Sequence, residues 1–387
     1  MKSLKRLKKN LYVSNVTNSS HIDYLFKEIS GTNYLMTPWV PSDRIIAGAK
    51  FISERYSQIL SSRSNDRNLT VNFKRYNLGF QQFYAPFKLI FFGKPMNVYE
   101  VRLINFMHSV RAATKMRGKS LVILTKDVFP HFIKSPKTVL IVEMRENICG
   151  VFDRNKSVFT DFPTDTNKSN QRVKRYAVEF DSIKTKSKGL ITYSEMTRDT
   201  FIAKGYAKER IFVFPLRIPL RGIYNAELKN PNQCLFVGRD ELNKGLDLAV
   251  AITAERNLKL KVVGHYSENM KRWLKQFPHV DFLGYVNRNA LKKIMLQSHV
   301  LIACSVESFG LTVIEALESG CLVVSSKFNG AAQTFRNNPN VFCSNSLSQD
   351  ALSYQLDLAL KVTFNNEYTS DIADFSKEFS DFIARIS

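Results

Sequence analysis

From residue 233 onward the chain alternates short β-branched apolar runs with segments of helical period, and this alternation constrains its fold more than any other feature. The runs "QCLFVGR" (233–239), "LKLKVVGH", "VDFLGYV", "HVLIACS" and "LVVSS" read as buried strands. Between them "NKGLDLAVAITAER", "SENMKRWLKQF", "NRNALKKIMLQS" and "LTVIEALESG", the last closed by Gly320, read as helices, and "SQDALSYQLDLALKVT" as a final one. Strands separated by helices pair in parallel and bury both faces, so the expectation is an α/β domain with a doubly wound sheet.

The first half carries the same pattern less cleanly. "NLYVSNV" (10–16), "SLVILTKDV" (120–128) and "TVLIVEMR" (138–145) read as strands. "HIDYLFKEI", "IIAGAKFISERYSQIL" and "VYEVRLINFMHSVRAATKM" read as helices, and "GLITYSEMTRDTFIAKGYAKERIFVFPL" (189–216) as strand, helix and strand. Residues 152–176, polar and rich in turn formers, read as a long loop. A chain of 387 residues accommodates two such domains. The division expected is an N-terminal Rossmann-like domain over 1–225, a C-terminal one over 226–365, and a terminal segment over 366–387. In that last segment Phe375, Phe379, Phe382 and Ile386 share one helical face, so it packs on something. The cleft between two facing domains is the default binding site.

Charge distinguishes the halves. The net charge is +22, and residues 1–225 hold 39 Lys+Arg against 17 Asp+Glu while residues 226–387 hold 17 of each. One basic domain beside a neutral one points to a polyanion facing the first: nucleic acid, an anionic membrane surface or an anionic substrate. No apolar run approaches the ~20 residues of a membrane span, and the basic N-terminus leads into no signal-peptide core. Cys149, Cys234, Cys304, Cys321 and Cys343 lack paired spacing, and several lie in apolar runs, which reads as reduced core thiols rather than disulfides or a metal site.

No Gly-x-Gly-x-x-Gly follows a strand and no Gly-x-x-x-x-Gly-Lys-Ser/Thr loop is present, so neither a dinucleotide fingerprint nor a P-loop is supported. Instead "FVGRDELNKG" ends a strand in Gly238-Arg239 and opens a helix near Lys244-Gly245. Two cations beside a helix N-terminus make a phosphate seat, although either cation alone would read equally well as a solvated surface charge. "SVESFGLTVIEALESG" supplies a second part. Gly310 lets backbone approach a ligand, the helix from Leu311 aims its amides there, and Glu307 and Glu315 stand before and one turn into that helix. Phosphate would repel Glu315, which is therefore expected to reach ribose hydroxyls, and Glu307 the hydroxyls of the group beyond the phosphates. Acids decorating a helix N-terminus for stability would explain either glutamate, but not the pair together with the glycine and the upstream cations.

These motifs resemble glycosyltransferase family 4, among the retaining GT-B enzymes (glycosyltransferase group 1). "ESFGLTVIE" matches that group's Glu, seven residues, Glu motif; "FVGRDELNKG" its Arg and Lys-Gly signature; "VDFLGYV" and "SSKFNGAAQ" its strand before the base and its loop near the donor sugar. The resemblance covers 233–335 almost continuously and reaches back to 188. It implies a GT-B fold, two Rossmann-like domains facing across a cleft with the C-terminal helix packing back on the N-terminal domain. It also implies a retaining glycosyltransferase of hexosyl type, moving sugar from a nucleotide-sugar to a saccharide or lipid-linked saccharide in bacterial cell-surface polysaccharide synthesis (lipopolysaccharide, capsule or exopolysaccharide). Arg239, Lys244 and Glu307 would be catalytic: the cations neutralise the leaving diphosphate, and Glu307 positions the donor sugar. Gly238, Ser308, Phe309, Gly310, Leu311, Thr312 and Glu315 would bind sugar, phosphate and ribose; Gly264, His265, Tyr266, Tyr285 and Val286 would border the base. No cofactor is implied beyond the nucleotide-sugar co-substrate, and no metal.

The sequence departs from the family pattern in three places. Gln333 stands where a glutamate is common, "SNVTNSSHID" replaces a glycine-rich loop, and "VLIVEMREN" offers Glu143, Arg145 and Glu146 where a histidine is often found; these three are the acceptor-side candidates. His108 and His131 read as ordinary core or surface residues. Residues 72–94 interleave eight aromatics with Lys74, Arg75, Lys88 and Lys94, which suits either a membrane headgroup interface or a core hairpin. The expected setting is cytoplasmic, peripheral on the inner face of the cytoplasmic membrane, with an anionic membrane surface as partner and no nucleic acid. Two alternatives stand beside this reading: a GT-B relative with other sugar-nucleotide chemistry such as epimerisation, and a noncatalytic polyanion-binding protein. Nothing in the sequence speaks to oligomeric state.

Overall fold

The computed structural model describes the five strands at 11–14, 34–37, 74–77, 121–125 and 139–144, helical positions scattered between 103 and 114, and residues 154, 156–163, 177, 179–214, 224–366 and 376–386. The helices expected over "HIDYLFKEI" and "IIAGAKFISERYSQIL" lie outside the described residues, as do His108, His131, Arg145, Glu146, Cys149 and the side chain of Glu143.

Two parallel sheets form the frame. The first runs in the order β3 (Lys74–Asn77), β2 (Tyr34–Thr37), β1 (Leu11–Ser14), β4 (Leu121–Thr125), β5 (Val139–Met144), β6 (Gly189–Thr192), β7 (Ile211–Val213). The second runs β10 (Val280–Gly284), β9 (Lys259–Val263), β8 (Asn230–Val237), β11 (Ser298–Ala303), β12 (Leu322–Ser326), β13 (Val341–Ser344). Both sheets reverse direction of winding once, between β1 and β4 and between β8 and β11; such a switch point opens a crevice at the carboxyl ends of the strands. This is the GT-B architecture of two Rossmann-like units.

The local reasons are legible. β12 is buried at every position because helices cover both faces of a parallel sheet. Side chains of Ser194, Ser267, Asn287 and Ser348 accept the amides of Thr197, Met270, Ala290 and Ala351, starting α1 (Glu195–Ala203), α3 (Glu268–Leu274), α4 (Arg288–Gln297) and α7 (Gln349–Ala359). Helix α2 (Leu246–Ala254) follows β8, and α5 (Leu311–Glu318) and α6 (Gly330–Thr334) follow β11 and β12. The terminal helix α8 (Ser376–Ile386) buries Phe382 and Ile386 against the first sheet, the Phe382 ring 5.5 Å from that of Phe212. The helix therefore crosses back to the N-terminal domain, as the resemblance implied; its apolar face required only that it pack on something. Cys234, Cys304 and Cys321 are free and buried, and Cys343 is free and half-buried.

Sequence periodicity missed β2, β3, β13 and α6, each only four or five residues long. β3 pairs in parallel with β2 and ends the first sheet among the described residues; residues 78–94, on which the interface and hairpin readings of 72–94 turn, lie outside the described residues. The loop reading of 152–176 holds where the residues are described: 154 and 156–163 form no helix or strand. They are nevertheless docked: Phe162 sits edge-on to Trp273 at 4.9 Å, and Phe159 packs on Trp273 and Phe277 at 5.3 Å each. A polar composition hid two aromatic anchors that belong to the core of the second sheet.

Candidate functional site

The carboxyl ends of β8 and β11 bring the two signature segments together across the switch point. After β8, Gly238 and Arg239 lead through a short turn, Leu242–Lys244, into α2. After β11, residues 304–310 form the loop that opens α5 at Gly310. Here Lys244 Nζ donates to Glu307 Oε2 at 2.6 Å. The other carboxylate oxygen, Oε1, accepts from Ser305 Oγ at 2.7 Å and from Asn329 Nδ2 at 3.2 Å. Burial pushes the Glu307 carboxyl upward, but the Lys244 ammonium, the Ser305 hydroxyl and Arg239 outweigh it and hold the group below the usual carboxylate range. Glu307 is thus an ionised acceptor fixed at both oxygens.

Gly310 has φ +75° and ends the loop in a left-handed turn; a Cβ there would stand 2.1 Å from Asn329 Oδ1. Glycine therefore admits Asn329 to the site. Asn329 in turn caps α6 through the Ala332 amide and donates to Ser305 Oγ at 2.9 Å as well as to Glu307. With no side chain at its N-cap, α5 directs its first amides and the positive end of its dipole toward the crevice.

Arg239 is turned outward, 67% exposed, and its Nη1 lies 3.1 Å from Glu241 Oε1. The structure brings Lys244 and Glu307 into contact and leaves Arg239 at the rim, paired with Glu241. Glu315 is half-buried on α5 and its carbonyl accepts from the Ser319 hydroxyl. Leu311 and Thr312 are half-buried in its first turn. Ser308 does not offer its hydroxyl to the crevice: it is buried and accepts from Thr197 Oγ1 of α1 at 2.9 Å. The half-buried Phe309 ring stacks on Tyr193 at 4.8 Å, which occupies one of its faces.

On the far side of β8, Gly264 follows β9 so closely that a Cβ would sit 1.8 Å from the Gly238 carbonyl oxygen. His265 beside it is exposed, whereas the Tyr266 ring is buried against Phe282 at 5.0 Å, its hydroxyl buried without a hydrogen-bond partner; burial raises its pKa. Tyr285 after β10 is 76% exposed, and Val286 packs partly into the core. The exposed rings of this group are those of His265 and Tyr285.

On the N-terminal side, Glu143 is the last but one residue of β5 and pairs with Ile191 in β6. The Gln333 departure has a local explanation. Its Oε1 accepts the Met196 amide at 3.2 Å and its Nε2 lies 3.4 Å from Glu195 Oε2, so a neutral amide bridges the start of α1 where a second carboxylate would face Glu195. Sequence reasoning missed Ser305 and Asn329. Asn329 had a signal, since Asn-Gly ahead of a helical run marks an N-cap; Ser305 had none. Among the described residues no group of three or more His, Cys, Asp or Glu is placed to hold a metal ion.

Residues 224–376 match the family model described as glycosyl transferases group 1, and this stretch is a domain of that GT-B type. The chain is 30% identical over 146 residues to an uncharacterized glycosyltransferase of Methanocaldococcus jannaschii, covering 35% of this chain and 37% of that protein. It therefore spans little more than a third of the curated relative that it matches. Among solved structures, sucrose-phosphate synthase from Thermosynechococcus elongatus aligns over 97% of this chain and 98% of its own, at 13% identity and TM-score 0.57. The crystal structure of TarM aligns over 98% and 95%, at 12% identity and TM-score 0.51. At such identities the likeness concerns the fold.

Proposed function

We propose that the protein is a retaining glycosyltransferase of family 4 that moves a hexosyl group from a nucleotide-sugar to a saccharide or lipid-linked saccharide. The observation that carries this reading is the Lys244–Glu307 pair at the switch point, facing the glycine-capped start of α5. The diphosphate would lie against the α5 amides and Lys244, with Arg239 swinging from Glu241 to join them. As the glycosidic bond to the leaving phosphate breaks, these cations and dipoles meet the charge that develops there, in place of a metal ion. Glu307 accepts hydrogen bonds from the sugar, Glu315 from the ribose, and Tyr285 offers a face to the base. Arg145, Glu146 and Glu143 follow from the sequence as acceptor-side groups.

The acceptor surface is read as the anionic membrane interface of the cytoplasmic side, in cell-surface polysaccharide synthesis. Beyond the basic charge of 1–225, Leu103, Phe106, Met107 and Val110 are exposed at helical spacing, with Arg102, Arg111, Lys115 and Arg117 around them in sequence. No helix among the described residues is long and apolar enough to cross a membrane.

A thermal-shift panel of UDP-, GDP-, ADP- and CMP-sugars tests the donor half. One sugar nucleotide should stabilise the protein, by about 2.7 kcal/mol at a hundred times its dissociation constant. Transfer from that donor should keep the anomeric configuration and survive chelation of divalent ions. An inverted product, or no stabilisation by any donor, overturns the proposal.

A further inference from the structure

Arg154 lies in the docked segment 154–163, far in sequence from the donor loop, yet it is tied to the turn that carries Lys244. Its guanidinium forks onto Asp247 at the start of α2, Nη1 to Oδ1 at 2.6 Å and Nη2 to Oδ2 at 2.7 Å, with side-chain exposures of 10% and 0%. Ser157 Oγ and the Val158 amide also donate to Asp247 Oδ2, at 2.7 and 3.0 Å. Arg154 Nη1 reaches the Leu242 carbonyl, and its backbone amide donates to Asn243 Oδ1 at 2.8 Å. Asn243 is held from the other side too, because its carbonyl accepts the Val306 amide at 2.8 Å. The next residue along each chain segment is Lys244 and Glu307, the ion pair itself.

We infer that Arg154 and Asn243 are positioning residues for the diphosphate seat: the docked segment fixes the 242–244 turn, and Asn243 sets Lys244 opposite Glu307. This rests on the reading of Lys244 as a phosphate-binding cation. A bidentate arginine on a buried carboxylate holds direction as well as distance. In the chain the segment comes between β5 and β6 of the first sheet, yet it anchors in the core of the second, so the turn that aims Lys244 is gripped by a connection of the other domain. A short polar turn without this grip would leave the lysine's four-carbon stem to wander.

The test compares affinities of the intact chain for the nucleoside diphosphate that wild type binds among UDP, GDP and ADP, and for its monophosphate. Calorimetry would be run on wild type, Lys244→Ala, Asn243→Ala and Arg154→Lys. Lys244 acts on the phosphates, so its loss should erase most of the preference for diphosphate over monophosphate. Asn243→Ala and Arg154→Lys should each lower that preference by about tenfold, the size of one lost hydrogen bond to a charged group, with monophosphate affinity little changed. A general loosening of the fold would weaken both ligands alike, and that outcome in both variants overturns the inference. So does an unchanged preference in both variants while Lys244→Ala loses it, a result that leaves the donor-site reading standing. A wild type that binds none of the three diphosphates would overturn that reading, and the inference with it. Should Asn243→Ala fail to fold, Arg154→Lys, which keeps charge and backbone amide but not the fork, decides alone.

Discussion

Lys244 Nζ stands 2.6 Å from Glu307 Oε2, closing a contact between two loops 63 residues apart in sequence. The cation and the carboxylate satisfy each other. A diphosphate entering the crevice competes for the lysine, while Ser305 and Asn329 keep the carboxylate in place. Replacing Lys244 by Ala should therefore lower turnover by about 10²-fold or more, as the loss of a preorganised electrostatic contact does. It should also raise the pKa of Glu307, whose burial is then less opposed. Steady-state transfer rates across pH would register both effects.

The two glutamates should separate by assay. Glu307→Gln keeps shape and weakens hydrogen bonds to the sugar, so transfer slows while affinity for the free nucleotide stays nearly intact. Glu315→Ala should weaken nucleotide binding itself. Equal loss of nucleotide affinity in both variants would dismiss this division of labour.

Gly310→Ala should be costly twice. A φ of +75° strains an L side chain by about 1–2 kcal/mol, and the new Cβ would displace Asn329 from Glu307. A lowered melting temperature accompanied by loss of transfer is expected; a variant of full activity would mean that Asn329 is not required at the carboxylate.

Acid should release the docked segment. Burial raises the pKa of Asp247, but the Arg154 guanidinium, Ser157 and the Val158 amide more than reverse this and hold it below its ordinary range. A depressed folded pKa gives stability that is complete above the unfolded value, about 3.9, and is lost as pH falls through the lower folded one. The gap in melting temperature between wild type and Asp247→Asn should thus be widest near neutrality and shrink below about pH 4. A gap independent of pH would show that the charge of Asp247 is not what holds Arg154.

Vesicle binding should have two components. Cosedimentation with anionic liposomes should fall as salt rises, since basic residues near the surface contribute about 1 kcal/mol each and are screened within about 8 Å at physiological salt. Phe106→Ser with Met107→Ser should lower binding at every salt concentration. Equal binding to neutral and anionic vesicles would remove the electrostatic part of the reading.

The strand–helix alternation and the apolar face of α8 were legible in the sequence because each rests on local periodicity: buried parallel strands, capped helices, one apolar helical face; the switch-point segments were legible as motifs, and the return of α8 to the first domain only through the resemblance they carry. The short elements β2, β3, β13 and α6 were not, since four or five residues carry too little pattern to separate strand from loop. Composition identified the loop that includes 154 and 156–163 but not its docking, which Arg154 and two phenylalanines provide despite a polar majority.

The residue types at the proposed donor site, Arg239, Lys244, Glu307, Gly310 and Glu315, were legible in the chain itself, because the chemistry expected of a phosphate seat and the backbone freedom of glycine need no partner to be recognised. Only the tertiary structure decided how they are held. It set Lys244 against Glu307, turned Arg239 outward to Glu241, gave Ser308 to Thr197, and brought Ser305 and Asn329 to the carboxylate. It also joined Arg154 to Asn243 across 89 residues. Such contacts depend on which strand ends lie side by side once two sheets have wound up, and no window of local sequence contains that distance.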